Sequence, residues 1–570
     1  MKYLTRFFGS HRIGLIAAAL AFLLAVPSLM SDLCMDDYQQ RTTLLTNPDG
    51  NPFEFYRMGA PETEAMLQKG ILPWWTHPDS KLVFFRPIAK WLMQVDYRFW
   101  PDNFALMHLH SVLWYVLLVG VIGWVYRRFI PSSVTVGLAL IMFAIDGTHG
   151  GAVAWLANRN VIVAMIGSML VLVCYSRDEW SWQLVGCSLL AMTLFCAEAA
   201  LSITGYLFAY EVFLSKRSWA LRVLRLTPYA LTAFTWLLWW RYNGFGSSGP
   251  GFYTDPHDTQ AFLGALTFRP PAYLLGQFLL FPIEILAFSE GSAWQPLVFI
   301  VVVSVCVLIA RAFWRLLRES AAARFFALGM LIATLPISGS QLVARSLWYV
   351  GFGAYGLLAI WLEPFFSTNS AKKITPLAGA MLVLHLAISP LLFLFGEAVF
   401  GPILNNITDT RVVNLPNEQG HDRKVLLLWV PQYEFLTYYP LLKDEALALG
   451  EIPKRSQPAI AKLRLLTNGS DDFAVERKDA DTLLIRREGG FDTMRKGVYG
   501  FSRGESMALD DVVVTVNAVS VAGAATEIEY HFAPGVLDDY EVMTWSKKQF
   551  VSVQLPAVGE VIQVKTPAAS

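Results

Sequence analysis

Two adjacent carboxylates, Asp36-Asp37, follow the first long apolar run of the chain. An acidic pair in such a place can take a proton from a hydroxyl group or hold a divalent cation. Isolated arginines recur at apolar boundaries downstream, at Arg86, Arg159, Arg241 and Arg345. A guanidinium presents forked donors that match phosphate oxygens. Glu198 lies inside a long, nearly continuous apolar stretch, where a carboxylate must find a partner or face a cavity. His108 and His110 stand two apart and so project from different helix faces, which disfavours a chelating pair while leaving one of them able to line a cavity. Asn158 adds an amide beside Arg159. Asp36 and Asp37 are therefore the candidate catalytic or cation-binding groups, and Arg86, His108, Asn158, Arg159, Glu198, Arg241 and Arg345 the candidate substrate contacts.

The elements that must position these groups belong to a membrane protein. Of 570 residues, 55% are hydrophobic, 14% aromatic and only 16% charged, which excludes an ordinary soluble enzyme and a disordered chain. Forty-five basic residues balance 45 acidic ones, so no global basic field exists to attract nucleic acid. The five cysteines form no C-x-x-C pair, and neither a disulfide framework nor a zinc site is indicated. Eleven apolar cores are long enough to read as spans: 13–30, 104–126, 132–148, 152–175, 181–197, 199–215, 226–241, 294–310, 323–339, 346–363 and 374–396. The first lacks a small-residue cleavage motif and reads as a retained anchor.

Lys and Arg cluster in alternate loops, at Lys2-Arg6-Arg12, Arg127-Arg128, Arg177, Lys216 to Arg225, Arg311 to Arg318 and Lys372-Lys373. These loops are expected to be cytoplasmic. The alternation closes only if 271–289, interrupted by Pro282 and Glu284, is re-entrant or interfacial. Eleven crossings from a cytoplasmic N-terminus then place the tail, 401–570, outside the cytoplasm. That tail is charged and alternating, mixed α/β at first and sheet-like at its end, with no catalytic constellation. Residues 1–400 form the membrane domain, whose outer loop 31–103 carries the acidic pair. Trp74-Trp75 in this loop fits an interfacial aromatic belt. Asp146, His149, Gln341 and the candidate site residues all fall at the same membrane level.

A lipid-linked phosphosugar suits this one-sided arrangement. Its tail would occupy the bilayer, its phosphate would meet Arg241 or Arg345, and its sugar would face Asp36-Asp37. No soluble nucleotide-binding loop of the G-x-x-x-x-G-K-[ST] type is present.

The ordered set Met35-Asp36-Asp37-Tyr38, Phe85-Arg86-Pro87, Val95-Asp96-Tyr97, His108 to Ser111, Ala154 to Asn160, Cys196-Ala197-Glu198, Trp240-Arg241-Tyr242 and Ala344 to Tyr349 resembles the GT-C membrane glycosyltransferases. It is most similar to the branch holding bacterial homologues of protein O-mannosyltransferases and the TPR-bearing O-mannosyltransferases. The resemblance implies a polytopic α-helical fold, a polyprenyl-phosphate sugar as donor, Asp36 as base, and Asp37 as its partner or a metal contact. The acceptor, a glycan, lipid or protein, is not specified. Ala197 stands where the family often has Lys before the glutamate, and TPR repeats are absent. A bacterial inner membrane with the tail in the periplasm is the implied location. The competing readings are a transporter or flippase, disfavoured by the lack of internal repeats, and an inactive GT-C-like assembly component of cell-envelope glycan synthesis, disfavoured by the intact acidic pair.

Overall fold

The structure, a computed structural model, describes all residues except 1, 48–55, 59, 78, 249–252, 255–257, 291, 367–373, 409–423, 433, 450–461, 492–499, 522 and 567–570. The chain is predominantly helical to Ile407, and β-rich beyond Lys424. Each apolar core expected from the sequence falls on a helix. Local chemistry sets their starts: Asn103, Ser132, Ser320 and Thr375 each cap the following helix by accepting a backbone N–H.

Five helical stretches among the described residues are long and apolar enough to cross a membrane: Ile13–Met30, Phe104–Phe129, Leu156–Tyr175, Gln295–Glu319 and Pro376–Ile407. Gln295–Glu319 turns Leu297, Ile300, Val301, Val307 and Leu308 outward, an apolar surface suited to lipid. Some of the other helices are shorter. Ser133–Ala144 has 12 residues and Ile203–Phe213 has 11. At about 1.5 Å per residue neither covers the ~30 Å of a bilayer core, so not every apolar segment is a full crossing by itself. Ser133–Ala144 is surrounded by protein over nearly its whole length, and its apolarity reflects packing rather than lipid contact.

The helix ends sort into two groups. At one, Phe8 packs on Phe366, Phe129 on Phe325, Arg128 donates to Ser176, and Arg225 donates to the carbonyls of Tyr175 and Arg177. This is the end rich in arginine; Lys372-Lys373 lie outside the described residues. At the other, the loop 31–103 meets the ends of the remaining helices: Phe85 packs on Phe195 and Phe245, and Tyr38 donates to Asn405.

The segment 271–289 belongs to a hairpin that enters and leaves at this second end. The Thr259–Leu279 helix ends at Leu280 in the left-handed conformation, φ 50°, and the chain turns back. Arg269 then pairs with Glu290 through two bonds of 2.9 and 2.7 Å, while also donating to the carbonyls of Ser338 and Ser340.

Beyond the helices, four strands form a mixed sheet in the spatial order Gln549–Ser552, Tyr540–Ser546, Lys424–Val430, Lys462–Asn468, with Lys424–Val430 parallel to both neighbours. A six-stranded antiparallel sheet runs in the spatial order Val561–Val564, Phe473–Arg477, Thr482–Arg486, Ala525–Phe532, Val512–Val519, Ser506–Ala508. This matches the mixed α/β start and sheet-like end read from the sequence.

The tail does not stand apart. Its core is continuous with Leu33, Tyr38, Leu44, Ile71, Trp74 and Trp75 of the loop. Trp74 and Trp75 are thus core residues, not a belt: both are buried, and Trp74 donates to the Leu466 carbonyl. Arg464 donates to the carbonyls of Leu67 and Gln68, and Arg41 to those of Ala446 and Leu449. Gly70 closes this junction at φ +86°, where a Cβ would stand 1.7 Å from the Leu463 carbonyl oxygen. Gly70→Ala is therefore expected to cost at least about 2 kcal/mol from the left-handed backbone and the clash together. Limited proteolysis should show the tail released from the helical part, and an unchanged digestion pattern with an unchanged unfolding temperature would refute the docking.

Candidate functional site

Where the loop, the helix ends and the tail meet, they enclose a cavity of about 610 Å³. Of the residues singled out from the sequence, Asp36, Arg86, Asn158, Glu198 and Arg345 line it. Asp37, His108, Arg159 and Arg241 do not, for reasons that differ.

Asp36 opens the Asp36–Thr46 helix, directly after Met35 at φ 50°, ψ −117°. Such a conformation costs a non-glycine residue about 1–3 kcal/mol and persists only where the surroundings hold it. Asp37 supplies that hold. One of its carboxylate oxygens accepts the Cys34 N–H at 3.0 Å and the other the Ala157 N–H at 2.7 Å. Its burial pushes its carboxyl up to about 7 against these two donors. Asp37 therefore faces backbone, and its expected place as a catalytic partner or cation contact is corrected to that of a brace. Among the described residues no three His, Cys, Asp or Glu side chains gather into a cation site. Each Asp37 oxygen thus spends one lone pair on a backbone N–H.

Asp36 reaches cavity solvent but is walled by protein. Burial raises its carboxyl above the usual aspartate range, opposed first by Arg345 and then by Arg86. Arg345 lies over the Trp155 ring, 4.6 Å from its centroid. Its turn is fixed by Glu284, which accepts the Ala344 N–H at 2.7 Å. No described carboxylate forms an ion pair with Arg345. Arg86 is paired: two of its nitrogens donate to one oxygen of Glu198 at 2.8 and 2.7 Å. The other Glu198 oxygen is buried without a partner. Glu198 thus takes its countercharge from Arg86, far away in sequence.

Arg159 is a clamp rather than a substrate contact. It is 2% exposed and donates to Asp96 at 2.5 Å, to Ser111 at 2.8 Å and to the Met107 carbonyl at 2.8 Å. Asp96 is completely buried and also meets His110 at 2.7 Å. His108 is completely buried too, its nearest polar neighbour being the Asp32 carbonyl at 3.4 Å. Arg241 is exposed on the last turn of the Trp219–Tyr242 helix, away from the cavity lining. Asp146 and His149 form a separate closed knot, with Gln277 donating to Asp146 at 3.1 Å and His149 stacked on Trp348 at 3.9 Å.

The lining has two characters. One flank is apolar: Trp236 and Leu237, then Phe262 and Leu266, then Leu335 and Ile337, from three helices. Leu237 and Leu335 are also 43% and 44% exposed, so this flank runs out to the apolar surface of the bundle. The other flank carries Gln39, Gln40, Thr76, His77, Ser247, Tyr438 and Tyr439. Sequence reasoning missed Gln39, Gln40 and the two tyrosines as site residues. The glutamines stand three and four residues after Asp36, the spacing that shares one helix face; the tyrosines, in the tail, carry no local signal.

No protein-family model matches the chain, and no curated protein matches it.

The clamp can be tested. Arg159→Ala leaves Asp96 buried with its main countercharge removed and is expected to cost about 3–5 kcal/mol, seen as a lowered unfolding temperature in detergent. Replacing Asp96 and Arg159 together by Leu and Met should cost less than the sum of the single changes. Strict additivity, or retained stability of Arg159→Ala, would return Arg159 to the list of substrate contacts.

Proposed function

We propose that this protein is a membrane glycosyltransferase that moves a sugar from a polyprenyl-phosphate donor to an acceptor hydroxyl. The observation that carries the reading is the single cavity in which Asp36 stands beside Arg345 and the Arg86–Glu198 pair, with one flank running out to the apolar surface of the bundle. A lipid-linked donor needs that combination: a route for its tail, cations for its phosphate, and a base on the sugar side. The resemblance to GT-C glycosyltransferases points to the same chemistry. The apolar cores and the Lys/Arg alternation support about eleven crossings, a cytoplasmic N-terminus and an extracytoplasmic tail, and the resemblance supports a bacterial inner membrane.

In this mechanism Asp36 accepts the proton of the acceptor hydroxyl as its oxygen bonds to the anomeric carbon. The bond between that carbon and the phosphate oxygen breaks, and the phosphate departs with the electron pair. Arg345, which no described carboxylate pairs, meets the growing negative charge, and Arg86 adds to the field. Trp155 beneath Arg345 holds the guanidinium plane in place. Asp37 contributes by fixing the turn from which Asp36 projects.

Transfer of labelled sugar by full-length protein in lipid, with a panel of polyprenyl-phosphate sugars, tests this directly. Asp36→Asn keeps the shape and removes the base, so turnover should fall by about 10²–10⁴-fold while unfolding temperature holds. Unchanged turnover would remove Asp36 from the role, and silence of the wild type without donor binding would remove the activity.

The pH profile has a definite sign. A carboxylate acts as base only when ionised, so kcat/KM falls as pH drops through the pKa of Asp36. Burial raises that pKa, which puts the acid limb above the usual aspartate range. Arg345→Gln removes the larger opposing cation and should move the limb further up as well as lowering turnover. A limb at ordinary aspartate pH, or one unmoved by Arg345→Gln, contradicts the assignment.

A further inference from the structure

The tail contributes side chains to the cavity that no reading of the helices supplies. Tyr438 and Tyr439 stand at the start of the Tyr439–Ala448 helix, their rings 5.0 Å apart and edge-on. That helix is held against the Asp36–Thr46 helix by Arg41, whose guanidinium donates to the carbonyls of Ala446 and Leu449 at 2.9 and 2.7 Å. Burial first, and then the charge of Asp36, raises the Tyr438 phenol above its ordinary range. Asp36, Gln39 and Gln40 share one helix face, and all three line the cavity. Gln40 is only 5% exposed, and its amide oxygen has no hydrogen-bond partner. Leaving a buried acceptor unpaired is unfavourable, and a bound donor group would satisfy it.

We propose that Tyr438, Tyr439, Gln39 and Gln40 form the acceptor subsite and that the acceptor is a carbohydrate. The proposal rests on the transferase reading above. In a displacement at the anomeric carbon, the attacking hydroxyl approaches opposite the departing phosphate. With the phosphate at Arg345, the acceptor belongs on the polar flank beyond Asp36. The chemistry of that flank selects a sugar. Tyrosine rings cover the C–H face of a pyranose, and paired amides donate to and accept from adjacent hydroxyls. Besides Asp36, the flank residues Gln39, Gln40, Thr76, His77, Ser247, Tyr438 and Tyr439 include no carboxylate, Lys or Arg, which gives little to a charged acceptor. A peptide would instead use the short edge strand at Gly246 and Ser247.

The experiment is saturation-transfer NMR on the full chain in lipid nanodiscs, with hexose and N-acetylhexosamine disaccharides as probes beside a Ser/Thr-containing hexapeptide. A disaccharide should bind the wild type. Tyr438→Ala and the milder Gln39→Ala should each weaken it on the order of tenfold, with donor KM unmoved and the unfolding temperature retained. Absence of disaccharide binding to the wild type, or equal binding by a folded Gln39→Ala and Tyr438→Ala, overturns the subsite. Peptide binding that depends on Tyr438 overturns the carbohydrate class. Donor cleavage by the wild type is read separately. Tyr438-dependent disaccharide binding without any donor cleavage would keep the subsite and sink the transferase reading.

Discussion

The Asp37 carboxylate joins two parts of the chain that share no helix, the turn at Cys34 and the segment at Ala157, through one backbone N–H on each side. Much at the cavity depends on this bridge. It restrains Met35 in a backbone conformation that a side chain adopts only under constraint, and so sets the direction of Asp36. It also fixes the strand of chain that carries Trp155, the ring beneath Arg345. The acidic pair is therefore divided in labour: one carboxylate is spent on backbone donors, and the other is left facing the cavity. Two carboxylates both facing an apolar-walled cavity would repel each other and neutralise; satisfying one with N–H donors lessens that conflict.

The arginines follow a similar division. Arg159 lies deep among helices and has every donor group directed at a carboxylate, a hydroxyl or a carbonyl. Desolvating a guanidinium is tolerable only with such complete pairing. Arg269 does the same for the hairpin, with Glu290 and two carbonyls. Arg345 is the contrast: half-buried at the cavity wall, it rests on an aromatic face and lacks an anionic partner among the described residues. Arg86 stands between these extremes, neutralised by Glu198 yet at the cavity surface. A field of this kind is graded, with the least compensated cation nearest the base.

The sequence made the helices legible because their signal is local. Each apolar core became a helix, the segment 271–289 holds a turn at Leu280, and the tail showed its strands by alternation. The site was legible only in part. Asp36, Arg86, Asn158, Glu198 and Arg345 reach one cavity, but sequence gives no means to tell Arg345 from Arg159 or Arg241: all three are single arginines at apolar boundaries. Their difference lies in partners contributed by other helices, such as Asp96 for Arg159. Trp74-Trp75 misled for a related reason. Exposed tryptophans at a membrane level read as a belt, and only the tail covering them makes them core.

That covering alters what a domain boundary means here. Composition changes sharply near residue 400, yet the apolar core that stabilises the strands includes residues from the loop before the second long helix. Neither side buries its apolar surface alone: Trp74 packs against Phe491, Phe501 and Tyr530, and without the strands it would face water. The Asp36–Thr46 helix is held from below by Asp37 on Ala157 and from above by Arg41 on the carbonyls ending the Tyr439–Ala448 helix. A single short helix thus transmits the position of the tail to the base at its first residue. Loosening the tail must therefore disturb Asp36 itself, so the helical part cut off near residue 400 would lack a correctly placed base as well as a roof.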